Sequence, residues 1–123
     1  MFNGKIYQSI FNELVPYLPT GWENLIVYLE YGQGSYSFSF FVKHNKEYKK
    51  CYDLENVFEE ELLESFKKID IIVSKERNKI TNPWSNMTMT IDNKGKMHTD
   101  FDYTDLSSGT YQFKKDWKMK YLV

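Results

Sequence analysis

The stretch LIVYLEYGQGSYSFSFFV, residues 25–42, decides the fold. Two runs in it alternate with the period of two that a strand requires. Leu25, Val27, Leu29 and Tyr31 share one face; Tyr36, Phe38, Phe40 and Val42 share another. Gly32-Gln33-Gly34-Ser35 between them is a turn signal. A tight loop centred on Gln33-Gly34 pairs Tyr31 with Tyr36, Leu29 with Phe38 and Val27 with Phe40. That register puts every apolar partner on one side, as a half-buried antiparallel hairpin needs.

Working outward, a third strand at about residues 48–53 follows a turn at His44-Asn45-Lys46-Glu47, with its register open. From residue 54 to 77 the period becomes helical: Phe58, Leu62, Phe66, Ile69 and Val73 step by four or three and form a core-facing stripe. Glu59, Glu60, Glu61 and Glu64 load the first half of this helix, and Lys67, Lys68, Lys75 and Arg77 the second. That order suits the helix macrodipole, and Glu64–Lys68 offers an i,i+4 pair. The charges read as a solvated face, with the acidic half open to a basic partner. Toward the N-terminus, Phe2, Ile6, Ile10 and Leu14, widened by Tyr7 and Phe11, predict a helix over residues 2–15 that Pro16, Pro19 and Gly21 end. The stripe reads as core packing, the alternative being a helix surface offered to a partner.

After Asn82-Pro83 a second hairpin is expected. Residues 84–92 place Ser85, Met87, Met89 and Ile91 on one face; residues 96–104 do the same with Met97, Thr99, Phe101 and Tyr103. Asn93-Lys94-Gly95 is the loop, with Gly95 where a type I turn plus bulge needs a left-handed residue. Ile91 then pairs with Met97, Met89 with Thr99 and Met87 with Phe101. The opposite, polar face pairs Thr90 with His98, Thr88 with Asp100 and Asn86 with Asp102. Residues 105–123 are open between a short helix and a final strand, with Trp117, Tyr121 and Leu122 packing. The fold class is therefore α+β: an antiparallel sheet of about five strands, with an N-terminal helix and a long central helix packed on one face.

The 123 residues fit a single domain spanning 1–123, large enough for a core without disulfide or metal. Aromatics make up 18%, with ten Tyr and nine Phe, a composition that favours sheet. A formal charge of −1, with the basic residues scattered, argues against direct nucleic-acid or membrane binding. No run approaches the roughly 18 apolar residues of a membrane span, and no leader signature opens the chain, so a cytoplasmic protein is expected. Cys51 is the sole cysteine, which excludes an intrachain disulfide and a multi-cysteine metal site.

Chemistry is sparse. His98-x-Asp100-x-Asp102 projects from one strand face beside Asn86, Thr88 and Thr90, and these donors suit a divalent cation. Alternate strand residues lie about 6.6 Å apart, however, so short Asp side chains converge poorly on one ion. A solvent-facing polar sheet surface or a partner-binding face accounts for the same pattern. Cys51 lies near His44 in sequence, which is not nucleophile–base geometry. No phosphate-binding glycine motif or nucleophile elbow occurs, and no cofactor is implied. Trp84, between Pro83 and Ser85, reads as a core or edge anchor.

Residues 82–106, NPWSNMTMTIDNKGKMHTDFDYTDL, resemble the hallmark of the YezG-like immunity proteins, which include the EsaG-type antitoxins. Pro83-Trp84 matches the family's PW. Asn86, Thr88 and Thr90 match its N-[LM]-T-x-T strand, and Gly95-Lys96 its turn. Asp100, Phe101, Asp102, Tyr103 and Asp105 match its acidic strand. Trp117-Lys118-Met119-Lys120-Tyr121-Leu122 is similar to its W-x-x-K-Y-L ending. The resemblance implies a non-enzymatic cytoplasmic immunity protein that binds and neutralises a cognate type VII-secreted, LXG- or EsaD-like toxin, often a nuclease. Relatives tend to be more acidic than this nearly neutral chain. Carboxylates could stand where a nuclease holds substrate phosphates, so Glu30, His98, Asp100, Asp102 and Asp105 are the toxin-binding candidates. Homo-oligomerisation is open. The alternative from the residues alone is a small metal-dependent hydrolase using the His98/Asp100/Asp102 face.

Overall fold

The computed structural model describes residues 2–32, 34–55 and 57–123. Gln33 of the first hairpin loop lies outside the described residues. Five antiparallel strands form one sheet in the order β3-β2-β1-β4-β5: β1 (Asn24–Gly32), β2 (Ser35–His44), β3 (Glu47–Lys50), β4 (Asn86–Asp92) and β5 (Met97–Asp102). Three α-helices pack on it: α1 (Gly4–Leu14), α2 (Glu59–Arg77) and α3 (Tyr111–Tyr121).

The β1–β2 register is the one alternation predicts, with Tyr31 opposite Tyr36, Leu29 opposite Phe38 and Val27 opposite Phe40. The second hairpin likewise pairs Ile91 with Met97, Met89 with Thr99 and Met87 with Phe101. Gly95 has φ +85°, the left-handed residue of the loop. Asp92 Oδ1 accepts bonds from the backbone N–H groups of Lys94 and Lys96 and holds that loop from within.

The β2–β3 connection is a two-residue loop of Asn45 and Lys46, both at positive φ (53° and 67°), the combination a tight hairpin with right-handed twist requires. The third strand ends at Lys50 rather than residue 53, because Cys51–Asp53 turns into a 3-10 helix.

Asn3 caps α1, its Oδ1 accepting from the Lys5 and Ile6 N–H groups. Ile6, Ile10 and Leu14 are buried, so the predicted stripe is core. The central helix begins at Glu59, five residues after the expected start. Leu54 turns into the core first, and Phe58 stays extended (φ −102°, ψ 130°) ahead of the helix and 63% exposed. The expected stripe is thus corrected at Phe58, while Leu62, Phe66, Ile69 and Val73 are buried as expected. Glu59–Glu61 and Lys75/Arg77 sit at the ends that the macrodipole favours. Glu64 pairs with Lys67 at 3.5 Å, one residue short of the expected Lys68. Both partners are well exposed, and such a pair contributes little.

The main core lies between α1, α2 and the face of the sheet built from Leu25, Val27, Leu29, Phe40, Val42, Met87, Met89 and Ile91. The second face is where structure and expectation part. Residues 111–121 are a helix, and α3 lies on the face opposite α1 and α2. Its Trp117 packs with Ile26, Tyr28 and Phe41 in a smaller separate cluster. Successive strand residues point to opposite faces, so these three cannot belong to the first core. Helices therefore cover both faces of the sheet, and β1 is buried on both sides. Among the described residues no helix is long and apolar enough to cross a membrane.

Candidate functional site

The polar face of β4 and β5 carries the sequence candidates, and α3 changes what that face is. Asn86 and Thr88 are almost fully buried beneath the helix, not solvated. Trp117 Nε1 donates to Thr88 Oγ1 at 2.8 Å; Thr88 Oγ1 donates to Asn86 Oδ1 at 3.0 Å; Asn86 Nδ2 donates to the Leu29 carbonyl of β1 at 3.2 Å. This relay ties α3 to β4 and β4 to the centre of the sheet. Buried polar groups need partners, and here each one supplies the next.

A second tie lies at the helix end. Tyr121 Oη donates to Asp100 Oδ2 at 2.7 Å, while Asp100 Oδ1 meets His98 Nε2 at 2.9 Å. Burial raises the Asp100 carboxyl, but the bonds from Tyr121 and His98 outweigh it and hold the group below the usual carboxylate range. Burial and the Asp100 bond together push Tyr121 up to about 12.

Glu30 is buried under α3, accepting from Tyr28 Oη with Lys114 Nζ 3.9 Å away. It is an internal carboxylate of the helix–sheet contact, and a partner would reach it only by displacing Lys114. Burial, then the Glu30 carboxylate, push the Tyr28 phenol far up.

The remaining candidates stay accessible. His98 is exposed on the edge strand β5. Asp102 is half-buried, and its Oδ1 accepts from the N–H and hydroxyl of Thr104. Asp105 is exposed and accepts from Ser107 N–H. Two aromatics of the same segment are also exposed, Phe101 at 37% and Tyr103 at 59%. Phe101 lies on the opposite face of β5 from His98 and Asp102, against Phe2 and Trp84. β5 is an outer strand of the sheet, so its far backbone edge has no strand neighbour among the described residues.

The other motif residues are architectural. Trp84 is buried among the Phe2, Tyr31 and Phe101 rings, with centroids 5.5–5.7 Å away. The Arg77 guanidinium lies over it and donates from Nε to its carbonyl. Pro83 and Thr90 are half-buried. Trp84 is thus the core anchor expected of it.

As a metal site the His98/Asp100/Asp102 face is poorly formed. Its nearest lone pairs already serve His98, Tyr121 and Thr104. No group of three or more His, Cys, Asp or Glu among the described residues could hold an ion. The geometry gives the hydrolase alternative no support. Cys51 is fully buried, and burial pushes its thiol up, away from nucleophilic use.

Two clefts flank α3, and sequence reasoning reached neither. One, of about 370 Å³, lies between the helix and β5, with Asp100, Asp102 and Asp116 on its walls. The other, of about 300 Å³, lies on the β2–β3 side, with Lys50, Lys114 and Lys118. Trp117 lines both. The signal available was the apolar character of Ile26, Tyr28 and Phe41, out of phase with the main stripe, which called for a second covering element.

Residues 4–123 match the model of a family described as Immunity protein YezG-like. The chain is also similar to the Immunity protein YezG of Bacillus spizizenii (strain ATCC 23059 / NRRL B-14472 / W23). The two are 27% identical over 117 residues, covering 84% of this chain and 70% of the relative.

Proposed function

The chain belongs to the YezG-like immunity protein family, and from that premise we propose that it is a cytoplasmic, non-enzymatic antitoxin that neutralises a cognate secreted nuclease by binding it. The observation that carries this reading is the accessible strip along β5. Phe101 and Tyr103 stay exposed there, although Trp84, Asn86 and Thr88 close by are buried. Phe101 projects from the α1 side of β5 and His98 and Asp102 from the α3 side, so the open strand edge offers an aromatic ring on one side and polar groups on the other. Exposed aromatics are frequent anchors of a protein interface, and a partner gripping this edge would cover roughly 800 Å² on each side. Carboxylates at its rim would face the basic residues with which a nuclease holds phosphate, and unlike charge speeds encounter. Secretion of the toxin by a type VII route belongs to the same reading. Neutralisation of this kind needs no catalytic group.

Co-expression with the nuclease domain of an LXG- or EsaD-like toxin, followed by pull-down and a DNA-degradation assay, tests it. The expected result is a stoichiometric complex with degradation suppressed. Tyr103→Ala should weaken that complex by about 2 kcal/mol, the scale of an interface anchor, without shifting the melting temperature. No complex with any such toxin would overturn the reading. A complex indifferent to Tyr103 and to Asp102→Ala would move the interface off β5.

A further inference from the structure

We propose that α3 is a recognition helix whose two flanking clefts read opposite charges on the toxin, a cationic side chain on the β5 side and a carboxylate on the β3 side. The inference rests on the antitoxin reading and names the chemistry of its partner.

In the β5-side cleft three aspartates face one lysine, Lys120, and Phe113, Trp117 and Tyr121 supply aromatic walls. Asp102 uses only Oδ1 within the chain, toward Thr104, and Asp116 uses only Oδ1, toward Gln112 Nε2. Each carboxylate therefore keeps Oδ2 without a partner among the described residues. A guanidinium fits such a place: it takes carboxylate oxygens in its plane and stacks on aromatic rings.

The β3-side cleft has the reverse character. Lys50, Lys114 and Lys118 line it together with Ser37 and Ser39. Lys114 is turned toward Glu30; Lys50 and Lys118 form no ion pair with any described residue. Their ammonium groups suit a partner carboxylate.

The Trp117 indole is the wall common to both clefts, held by its bond to Thr88. A partner that seats α3 thus meets a fixed order of charges, negative then positive, across one side chain. Reversing that order on the partner produces two like-charge contacts, so the arrangement selects as well as binds.

Two double variants separate the arms. Asp102→Asn with Asp116→Asn keeps the Oδ1 acceptors while removing charge. Lys50→Gln with Lys118→Gln alters two exposed side chains. Each is expected to raise the Kd of the toxin complex about tenfold or more, with the melting temperature unchanged. A complex unaffected by either double variant overturns the two-charge reading and leaves the antitoxin reading standing.

A titration of the free protein followed by ¹⁵N NMR does not depend on the toxin. Nα-acetyl-arginine amide should move the Trp117 indole N–H and the Asp116 amide in the wild type but not in the Asn variant. Inorganic phosphate should move the Lys50 and Lys118 amides but not in the Gln variant. Lys120→Gln should strengthen the arginine-amide response. Probe binding without any toxin complex would keep the clefts and discard the toxin as their partner. Probes that move nothing would overturn the inference.

Discussion

Replacing Trp117 by alanine should release α3 while the rest of the sheet stays folded. Trp117 is 6% exposed and meets the rings of Tyr28, Phe41 and Tyr121 at centroid distances of 4.9, 5.4 and 5.2 Å. Removing a buried Trp costs about 3–5 kcal/mol, of which about 1 kcal/mol is the indole bond to Thr88. The other apolar contacts of this helix, from Phe113, Tyr121 and Leu122, are only partly buried. An isolated helix of 11 residues is marginal in water, so it has little stability of its own to fall back on.

Among the described residues the core on the opposite face shares no buried residue with the Trp117 cluster, and it should survive. Amide hydrogen exchange is the assay. Protection of α3 amides should drop about 10²- to 4 × 10³-fold in Trp117→Ala, as 3–5 kcal/mol implies at 1.4 kcal/mol per decade. The amides of β1 and β4 should stay protected. Trp117→Phe keeps a ring but loses the Thr88 bond, and should cost about 1–2 kcal/mol with α3 still docked. Two results would refute the reasoning: α3 amides unchanged in Trp117→Ala, or β1 and β4 amides lost in step with α3.

Three further outcomes are expected. Lys46 sits at φ 67°, where an L-residue is strained by about 1–2 kcal/mol. Lys46→Gly should stabilise by about 0.5–1 kcal/mol after the extra unfolded-state entropy of glycine, read as a higher midpoint in urea. Cys51, buried with its thiol pushed up, should ignore Ellman's reagent in the native protein and react with one equivalent in guanidinium chloride; rapid native labelling would contradict the packing.

The Asp100–Tyr121 tie should make α3 docking depend on pH at both ends. The folded Asp100 carboxyl lies below its unfolded value of about 3.9, so its contribution is present above that pH and is lost as pH falls through the lower, folded value. Tyr121 is raised to about 12, so its contribution holds below the unfolded value near 10 and is lost as pH rises through about 12. The Trp117 indole N–H resonance should report both transitions, and Tyr121→Phe should abolish the alkaline one.

Local periodicity was enough for the two hairpins, because β register follows from which residues must share a face and from loop length. The pairing of Val27 with Phe40 and of Met89 with Thr99 was legible in the chain itself. So was the stripe of α2 from Leu62 to Val73. What local pattern could not supply was the covering of the second face. The polar residues Asn86, Thr88 and Glu30 read as surface because polarity usually means solvent. They are buried because α3 brings Trp117 and Lys114 from far along the chain to supply a hydrogen bond and a counter-charge, while Tyr28 on the same strand donates to Glu30. The Asn86–Thr88 pair and the distant Trp117 were both visible as family motif, but their joining in one relay is a tertiary fact. Phe58 errs in the opposite sense: its spacing fits the helical stripe, yet the chain turns Leu54 inward first and leaves Phe58 outside.

The sequence by itself determined the α+β class, both hairpin registers, the core stripe of the central helix and, through its motif, the family. Only the tertiary structure decided that the C-terminal segment is a helix on the second face, that Glu30 is internal, and that two clefts of opposite charge flank Trp117. The division has a physical cause. Strand and helix periods are set by neighbours a few residues apart, whereas burial of a polar group depends on whether a distant partner arrives to satisfy it.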